Sequence, residues 1–328
     1  MRRASHREAL FLEARQDLER ALNAGGMGRF TDQTLGSYRL GGVLGRGGMG
    51  EVYEATHAAS GEPAAVKMLL PEAIGRPNAV RRFLREVRIA ASLDSPHVVR
   101  VLEVGDESAP LPYLAMERLR GEDLAQLLRR ESRLRNDAVL DMIRQVGRGL
   151  EAAAEAGIVH RDLKPHNVFL TEGAEGEARV WKILDFGVSK LVDQGGSLTV
   201  GEAVGTPQYM APEQVRGGDV DARTDLYALG AIAYRSLTGH PPFRGREIGE
   251  ILAAVMTEMP LRPSAVVRLP RDVDLALALA IAKPPAERFS SGAAMADALE
   301  AALRSRLSRD LRQRAQKLLT TFPWREPE

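Results

Sequence analysis

The segment 160–167 reads HRDLKPHN, and DFG follows at 185–187. Asp162 and Asn167 lie on one polar segment that Pro165 makes rigid, so a carboxylate and an amide can face the same small volume. Asp185 follows the largely apolar run VWKIL and is therefore expected at the end of a strand. One carboxylate to orient a hydroxyl, with a carboxylate and an amide to hold a metal ion, is the set of groups that phosphoryl transfer requires.

Together with APE at 211–213, these motifs resemble the signature of the protein kinases, specifically the eukaryotic-like (Hanks-type) serine/threonine protein kinases of bacteria. The resemblance covers about residues 37–305. It implies an α+β, two-lobed protein kinase fold, with a small antiparallel β-sheet lobe that carries one C-helix, a larger, mainly α-helical lobe, and ATP in the cleft. Lys164-Pro165 and Gly205-Thr206-Pro207 resemble the serine/threonine type rather than the tyrosine type.

Composition agrees with a globular enzyme. The chain has 328 residues, of which 44% are hydrophobic and 27% are charged, and its net charge of +1 gives no general attraction to nucleic acid. It has no cysteine, which excludes disulfides and thiolate catalysis. The N-terminus makes a poor signal peptide, and no apolar run approaches the length of a transmembrane segment. These features predict a cytoplasmic protein.

The small lobe is predicted to hold a five-stranded antiparallel sheet. Residues 38–70 indicate three strands, and GRGGMG at 45–50 joins the first two. A dinucleotide-binding turn of this spacing opens into a helix, whereas EVYEAT at 51–56 is strand-like, which favours a phosphate-covering loop. Residues 98–104 and 111–117 predict the other two strands, and 78–92 predict an amphipathic helix.

The resemblance assigns roles to individual residues. Asp162 would accept the proton of the attacking hydroxyl, and Lys164 would lie near the transferring group. Lys67 would contact the phosphates, and Glu86 would pair with Lys67. Mg²⁺ (or Mn²⁺) would be held by Asn167 and Asp185. The residues implied for ATP binding are Leu44, Gly45, Gly47, Gly50, Val52, Ala65, Lys67, Met116, Glu117, Leu119, Asp123 and Phe169.

Two other functions compete with this interpretation. A pseudokinase keeps the fold as a scaffold without the chemistry, but Lys67, Asp162 and Asp185 are all present. A small-molecule kinase would not need the segment that ends in APE, because that element builds a peptide-binding surface. We therefore expect protein substrates with serine or threonine hydroxyls.

In the large lobe, a helix is predicted over 136–156, with Asn136 as N-cap and Gly157 as the stop. A second, wholly apolar helix is predicted to open at Asp225 and to end at Gly239. By resemblance, the segment 160–167 is the catalytic loop, and Asp225 would accept backbone N–H groups of this loop.

By the same resemblance, Arg288 would pair with Glu213. The sequence departs from the family at Lys283-Pro284-Pro285, where an acidic residue often precedes the proline, and this departure puts the local loop in doubt.

The segment 187–205 is expected to be the activation segment. Kinases with an arginine at the position of Arg161 commonly use it to bind a phosphate on this segment. Ser197 and Thr199 lie mid-loop beside two glycines, and Thr199 best matches the phosphorylated position of bacterial relatives. The alternative is a loop that is ordered without phosphorylation.

Three regions follow from this interpretation: an N-terminal helical extension and linker (1–36), the kinase domain (37–305, with lobes 37–117 and 121–305), and a basic C-terminal helix and tail (306–328). Residues 5–22 and 304–317 predict amphipathic terminal helices. Each either packs on its own domain or docks a partner or another copy. Residues 322–328 are expected to form a tail.

Overall fold

The structure, a computed structural model, describes residues 26–47, 50–69, 87–88, 91–105, 112–173, 178–186 and 206–327. They belong to two compact units. The first lies within Met1–Asp94, Val99–Arg120 and Phe186–Gly196, and the second within Ser95–Val98, Gly121–Asp185 and Ser197–Glu328. The N-terminal helix, Glu86, DFG residue Gly187 and the candidate phosphosites Ser197 and Thr199 lie outside the described residues.

The first unit contains a six-stranded sheet with the order β1-β2-β3-β4-β6-β5, in which every neighbouring pair is antiparallel. Its strands are β1 (Thr34–Leu35), β2 (Tyr38–Gly47), β3 (Gly50–His57), β4 (Pro63–Leu69), β5 (Val101–Val104) and β6 (Tyr113–Glu117). The three strands predicted over 38–70 are confirmed. The count of five was wrong, because the chain reverses at Gly36, with φ +54°, and adds β1 beside β2.

The strand predicted over 98–104 starts later than expected. It begins at Val101, whereas Val98 forms a parallel bridge with Ile183 in the second unit. The sheet buries one face, where Tyr53, Val66 and Ala115 are 0% exposed. Because side chains alternate along a strand, the neighbouring residues of β3, β4 and β6 point to the opposite face.

Part of the N-terminal segment packs on this sheet. The N–H of Val43 donates to the carbonyl of Gly26 at 3.1 Å, and the N–H of Phe30 donates to the Tyr53 hydroxyl at 3.2 Å. The rings of Phe30 and Tyr53 meet edge to face, with their centroids 6.3 Å apart. Phe30 therefore packs against the hydrophobic core of the first unit.

The second unit is mainly helical and carries a small sheet of β7 (Gly121–Asp123), β8 (Val168–Thr171) and β9 (Trp181–Ile183). Its helices are α1 (Leu124–Glu131), α2 (Asn136–Glu155), α3 (Pro212–Val215), α4 (Ala222–Thr238), α5 (Ile248–Thr257), α6 (Pro263–Val266), α7 (Arg271–Ala280), α8 (Gly292–Leu303) and α9 (Arg309–Thr321). None of the helices in the described residues is long and apolar enough to cross a membrane.

Helix α2 ends shortly before the catalytic loop. Its C-terminal stop is confirmed: Gly157 has φ +73°, and the N–H groups of Gly157 and Ile158 close the last turn on Ala154 and Ala153. The N-cap was wrong by one residue. Arg135 is the N-cap, with no side-chain bond, because Asn136 already has helical geometry.

Helix α4 is the predicted core helix, and it is buried from Thr224 to Thr238. It begins three residues before the predicted start at Asp225, because the carboxylate of Asp221 accepts the N–H of Arg223 at 2.8 Å and caps the helix there. It ends at Gly239, which has φ +78°, as predicted.

The predicted basic helix over 304–317 was wrong at its start. Ser305 has φ +57° and separates α8 from α9, which Ser308 caps. The guanidinium of Arg312 bonds the carboxylate of Asp272 at 2.6 and 3.0 Å, so α9 packs on α7 of its own unit. Docking of a partner by a terminal helix stays a prediction.

The last residues do not form the expected tail. Trp324 is buried, and the N–H of Arg325 donates to the carbonyl of Pro260 at 3.0 Å. The N–H of Arg262 donates in turn to the carbonyl of Arg325 at 3.1 Å. Burying one large aromatic side chain is enough to hold so short a segment.

Helices α2 and α8 approach each other at two glycines. A Cβ built on Gly147 would lie 2.7 Å from the Cα of Gly292, and one built on Gly292 would lie 2.3 Å from the Cα of Gly147. Real Cβ atoms do not come so close to backbone, so neither site accepts a side chain without a shift of a helix.

Gly147→Ala is therefore expected to lower the free energy of unfolding by about 1–3 kcal/mol, the usual cost of overpacking. Urea denaturation measures it. The matched control is Gly249→Ala in α5, where a Cβ meets nothing within 4 Å, and there the free energy of unfolding should stay level or rise by up to about 1 kcal/mol. Equal effects at both sites would contradict the close-packing argument.

Candidate active site

The catalytic loop is anchored to the buried start of α4. The N–H groups of His160 and Arg161 donate to the two carboxylate oxygens of Asp225, at 2.7 and 2.9 Å. This confirms the role expected for Asp225. Burial raises the pKa of Asp225, and the two N–H donors and the nearby charge of Arg161 act in the opposite direction. The two hydrogen bonds to Asp225 fix the backbone of the catalytic loop at His160 and Arg161.

His160 connects the loop to the strand that leads to Asp185. Its Nδ1 lies 3.2 Å from the backbone N of Asp162, and its Nε2 lies 2.8 Å from the carbonyl oxygen of Leu184. An acceptor is needed at Nδ1 and a donor at Nε2, so we assign the neutral tautomer with the proton on Nε2. The ring is 0% exposed and cannot contact a substrate.

The three polar side chains predicted on the loop lie together. Lys164 Nζ is 2.7 Å from Asp162 Oδ2, and Asn167 Nδ2 is 2.8 Å from the backbone carbonyl of Asp162 and 3.5 Å from Oδ2. Both side chains therefore hold one edge of the carboxylate. Oδ1 receives no hydrogen bond from the described residues, which leaves it as the oxygen to accept a hydroxyl proton.

Asn167 and Asp185 are brought together by the pairing of β8 with β9. The N–H of Leu184 donates to the carbonyl of Asn167 at 2.9 Å, so the following residue, Asp185, lies next to Asn167. Because Nδ2 of Asn167 is bound to Asp162, its Oδ1 is turned away from the loop. One carboxylate and one amide oxygen are ligands that suit Mg²⁺, so Asn167 and Asp185 are the residues that would hold it.

No cluster of three or more His, Cys, Asp or Glu side chains that could hold a metal ion occurs in the described ranges. Asp185 has φ +60° and Arg161 has φ +66°. Each such conformation costs of order 1–3 kcal/mol and persists only where neighbouring contacts enforce it, which is common at functional sites.

In the first unit, the strand register places four of the residues predicted for ATP binding on one face of the sheet. Val52 pairs with Lys67, and Ala65 pairs with Met116. These side chains lie opposite the buried face that carries Tyr53 and Val66, and Lys67 is 9% exposed. Leu44, Gly45, Gly47 and Gly50 lie in β2 and at the start of β3, on the two sides of the glycine loop.

Two residues implied for ATP binding, Glu117 and Leu119, lie at and just after the end of β6. Glu117 is fixed by Arg100, whose N–H bonds the Glu117 carboxylate at 2.8 Å and whose carbonyl accepts the Glu117 N–H at 2.9 Å. The Leu119 carbonyl accepts a bond from the side chain of Arg118 at 3.0 Å. Contact of either residue with ATP stays a prediction.

Two further predicted ATP contacts lie in the second unit. Asp123 caps α1, and its Oδ1 accepts the N–H of Gln126 at 2.8 Å. Phe169 lies in β8 opposite Lys182 and is partly buried. The structure does not test either contact.

The pair expected between Glu213 and Arg288 is present. Arg288 Nη1 and Nη2 each lie 2.7 Å from a carboxylate oxygen of Glu213, and the hydroxyl of Thr224 donates to the same carboxylate at 2.9 Å. Burial raises the pKa of Glu213, but the bonds and charge of Arg288 outweigh burial and lower that pKa below its ordinary value. The pair fixes the end of the segment that includes APE.

The departure at Lys283 does not displace this pair. Lys283 Nζ donates to the carbonyl of Val255 at 2.7 Å and lies 4.4 Å from the centre of the Phe243 ring, while the Lys283 carbonyl accepts a bond from Arg288 at 3.1 Å. Burial, together with the charge of Arg288, lowers the pKa of Lys283 to about 7. The loop therefore keeps Arg288 in place with Lys283-Pro284-Pro285 where the family often has an acidic residue before proline.

One residue of this region was not found from the sequence. Gln214, directly after APE, donates from Nε2 to the carbonyl of Arg161 at 2.7 Å. Neither periodicity nor charge distinguishes this glutamine from a surface residue. Its position next to a recognised motif was the only available signal.

The comparisons with known proteins agree with this geometry. A family model described as the protein kinase domain matches residues 38–319. Serine/threonine-protein kinase Pkn1 of Myxococcus xanthus is 42% identical over 82% of this chain and 38% of its own length. Serine/threonine-protein kinase PknA of Mycobacterium tuberculosis is 37% identical over 81% of this chain and 61% of its own length.

Solved structures give the same result. The crystal structure of the Mycobacterium tuberculosis PknI kinase domain matches with a TM-score of 0.66 and 30% identity, over 82% of this chain and 98% of that one. The chain thus spans less than two thirds of the length of these curated relatives.

Proposed function

This chain belongs to the protein kinase family, and on that premise we propose that it transfers the γ-phosphoryl group of ATP to serine and threonine hydroxyls of proteins. The observation that carries the proposal is the Asp162 carboxylate, which Lys164 and Asn167 hold along one edge while Oδ1 accepts no hydrogen bond from any residue that the structure describes. A base in this state can orient a hydroxyl for attack.

In this proposal, each residue has a limited task. Asp162 accepts the proton of the attacking hydroxyl at Oδ1. Lys164 keeps the carboxylate in place and adds positive charge beside the transferring group. Lys67 aligns the phosphates from its position on β4, and Glu86 would hold Lys67. Positioning and charge stabilisation supply most of the catalysis in such reactions.

Asn167 and Asp185 would hold the metal ion, and their oxygens suit Mg²⁺ or Mn²⁺. When bound, the ion neutralises charge that develops on the phosphates. The backbone between Gly45 and Gly50 would cover the phosphates. We also propose a cytoplasmic location, which a chain without cysteine suits.

The test is transfer of radiolabel from ATP, with Mg²⁺, to a generic protein, followed by phosphoamino acid analysis. Label on serine or threonine is expected. Label on tyrosine, or ATP turnover without labelled protein, would contradict the proposal. Absence of any turnover would favour the pseudokinase scaffold, for which the residues Lys67, Asp162 and Asp185 offer no support.

We further propose that activity depends on autophosphorylation of Thr199, with Ser197 as a second site. A phosphate on the segment 187–205 could pair with the Arg161 guanidinium through charge-assisted hydrogen bonds and order the segment. Thr199→Ala is expected to lower kcat several-fold after preincubation with MgATP, whereas Ser189→Ala, close to DFG, is expected to leave it unchanged. Phosphopeptide mapping checks the sites. Full activity of Thr199→Ala would contradict this proposal.

A further inference from the structure

The side chain of Gln214 connects α3 to the catalytic loop. Its Nε2 donates to the carbonyl oxygen of Arg161 at 2.7 Å, and its Oε1 accepts the N–H of Ala211 at 3.0 Å. Both ends of the amide are therefore occupied by backbone groups. The bond to Arg161 joins segments that are 53 residues apart in sequence. Arg161 is the residue immediately before Asp162, so the bond reaches the peptide group that leads into the proposed base.

That peptide group is held at both of its polar atoms. Its carbonyl, from Arg161, accepts the Gln214 amide, and its N–H, from Asp162, donates to Nδ1 of His160 at 3.2 Å. The preceding N–H, from Arg161, is held by Asp225 at 2.9 Å. These three bonds define both peptide planes that flank the Cα of Arg161.

Such definition is needed because Arg161 has φ +66°, a left-handed conformation that residues other than glycine rarely adopt. A strained conformation persists only where its surroundings enforce it. Without the Gln214 bond, the plane between Arg161 and Asp162 would lose the restraint on its carbonyl. Rotation of this plane would change φ of Asp162 and so move the carboxylate.

Gln214 can supply this restraint because its own position is fixed. The preceding residue, Glu213, is held by two bonds of 2.7 Å from Arg288 and by one of 2.9 Å from Thr224. The Gln214 side chain is partly buried, which protects its bonds from exchange with water. The position of α3 therefore determines, through the bond from Gln214, where the Arg161 carbonyl of the catalytic loop lies.

We propose that Gln214 is a positioning residue for phosphoryl transfer, which holds the peptide between Arg161 and Asp162 so that the Asp162 carboxylate faces the attacking hydroxyl. This inference rests on the role proposed above for Asp162. Through Gln214, the segment around APE acts directly on the orientation of the Asp162 carboxylate. Arg288 anchors the same segment separately.

A simpler role would be capping of α3 alone, through the bond to Ala211. Two variants separate these roles. Gln214→Glu keeps an oxygen to accept the Ala211 N–H but has no donor for Arg161, whereas Gln214→Met has nearly the same shape and loses both bonds. If capping were the whole role, only Gln214→Met would be affected.

The test measures kcat and the KM for ATP of the parent and both variants, with their thermal unfolding. Both variants should lose about 10- to 100-fold in kcat, the usual effect of misplacing a catalytic group, with an unchanged KM for ATP. Gln145→Met is the matched control. Gln145 also accepts a backbone N–H, from Trp181 at 2.8 Å, but it does not contact the catalytic loop residues named above, so kcat should stay at the parent value.

Hydrogen exchange of the backbone amides supplies a readout that does not depend on activity. The amide of Asp162 should exchange faster in both Gln214 variants, and not in Gln145→Met. Parent kcat in Gln214→Glu, or unchanged exchange at Asp162, would overturn the inference. Loss of the folded state in both variants would also overturn it, because Gln214 would then be required for folding. If the parent itself has no kinase activity, the proposed function fails. The exchange measurement still decides whether Gln214 restrains the peptide between Arg161 and Asp162.

Discussion

Asp162→Asn is expected to lower kcat by about 10²- to 10⁴-fold, the range that a positioned general base contributes. An amide has the size of the carboxylate but cannot accept the proton of the hydroxyl. It also gives up the ion pair with Lys164, whose Nζ lies 2.7 Å from Oδ2. The KM for ATP should change little, because Asp162 is proposed to contact the hydroxyl and not the nucleotide.

Steady-state kinetics with a peptide substrate and MgATP measure both constants. The matched control is Asp137→Asn on α2, a carboxylate whose side chain is 67% exposed, and it should keep the parent kcat. Circular dichroism establishes that each variant is folded. Substantial turnover by Asp162→Asn would show that Asp162 is not the base, even if the chain is a kinase.

Glu213→Gln is expected to lower the free energy of unfolding by about 3–5 kcal/mol, the usual cost of leaving one partner of a buried ion pair alone. The Arg288 side chain is 0% exposed and that of Glu213 is 13% exposed. The new amide NH₂ would face guanidinium N–H groups, donor against donor, and the charge of Arg288 would remain buried. Chemical denaturation measures the loss.

The matched control is Glu300→Gln, which removes the partner of Arg144 where both side chains are partly exposed, at 28% and 35%. Solvent screening limits this pair to about 0–1 kcal/mol. If the two variants lose equal stability, the buried pair between Glu213 and Arg288 is not a main anchor of the segment.

The same pair predicts a pH dependence. The pKa of Glu213 is lower in the folded protein than its ordinary value of 4.5, so the unfolded state binds the proton more readily. The contribution to stability is therefore complete above that ordinary value and is lost as the pH falls through the folded pKa. Urea denaturation from pH 6 to pH 3 should show a smaller decline in Glu213→Gln than in the parent.

Local sequence was sufficient for features that depend on neighbouring residues. HRDLKPHN and DFG identify the groups of the proposed site, because their spacing within one rigid loop already brings Asp162 and Asn167 together. Gly157 and Gly239 end their helices where predicted, since a left-handed C-terminal residue is a local requirement. The core helix α4 was recognisable because it is apolar on every side.

Element boundaries required the tertiary structure. The sequence of β1 is too short to show any alternation, and it becomes a strand only because β2 offers an edge with which it can pair. The break at Ser305 interrupts a continuous amphipathic pattern because Leu307 and Arg312 both bind Asp272. Trp324 could be placed only once the surface that buries it was known.

By itself, then, the sequence determined the family signature, the chemical groups of the proposed site and the main helices and strands, because these follow from side chains close together in the chain. The two peptides that flank the Cα of Arg161 are held by Asp225, His160 and Gln214. The family resemblance implied the role of Asp225, whereas the bonds of His160 and Gln214 were found only in the tertiary structure. Gln214 lies 53 residues from Arg161, and no local pattern indicates a bond between residues so far apart in the sequence.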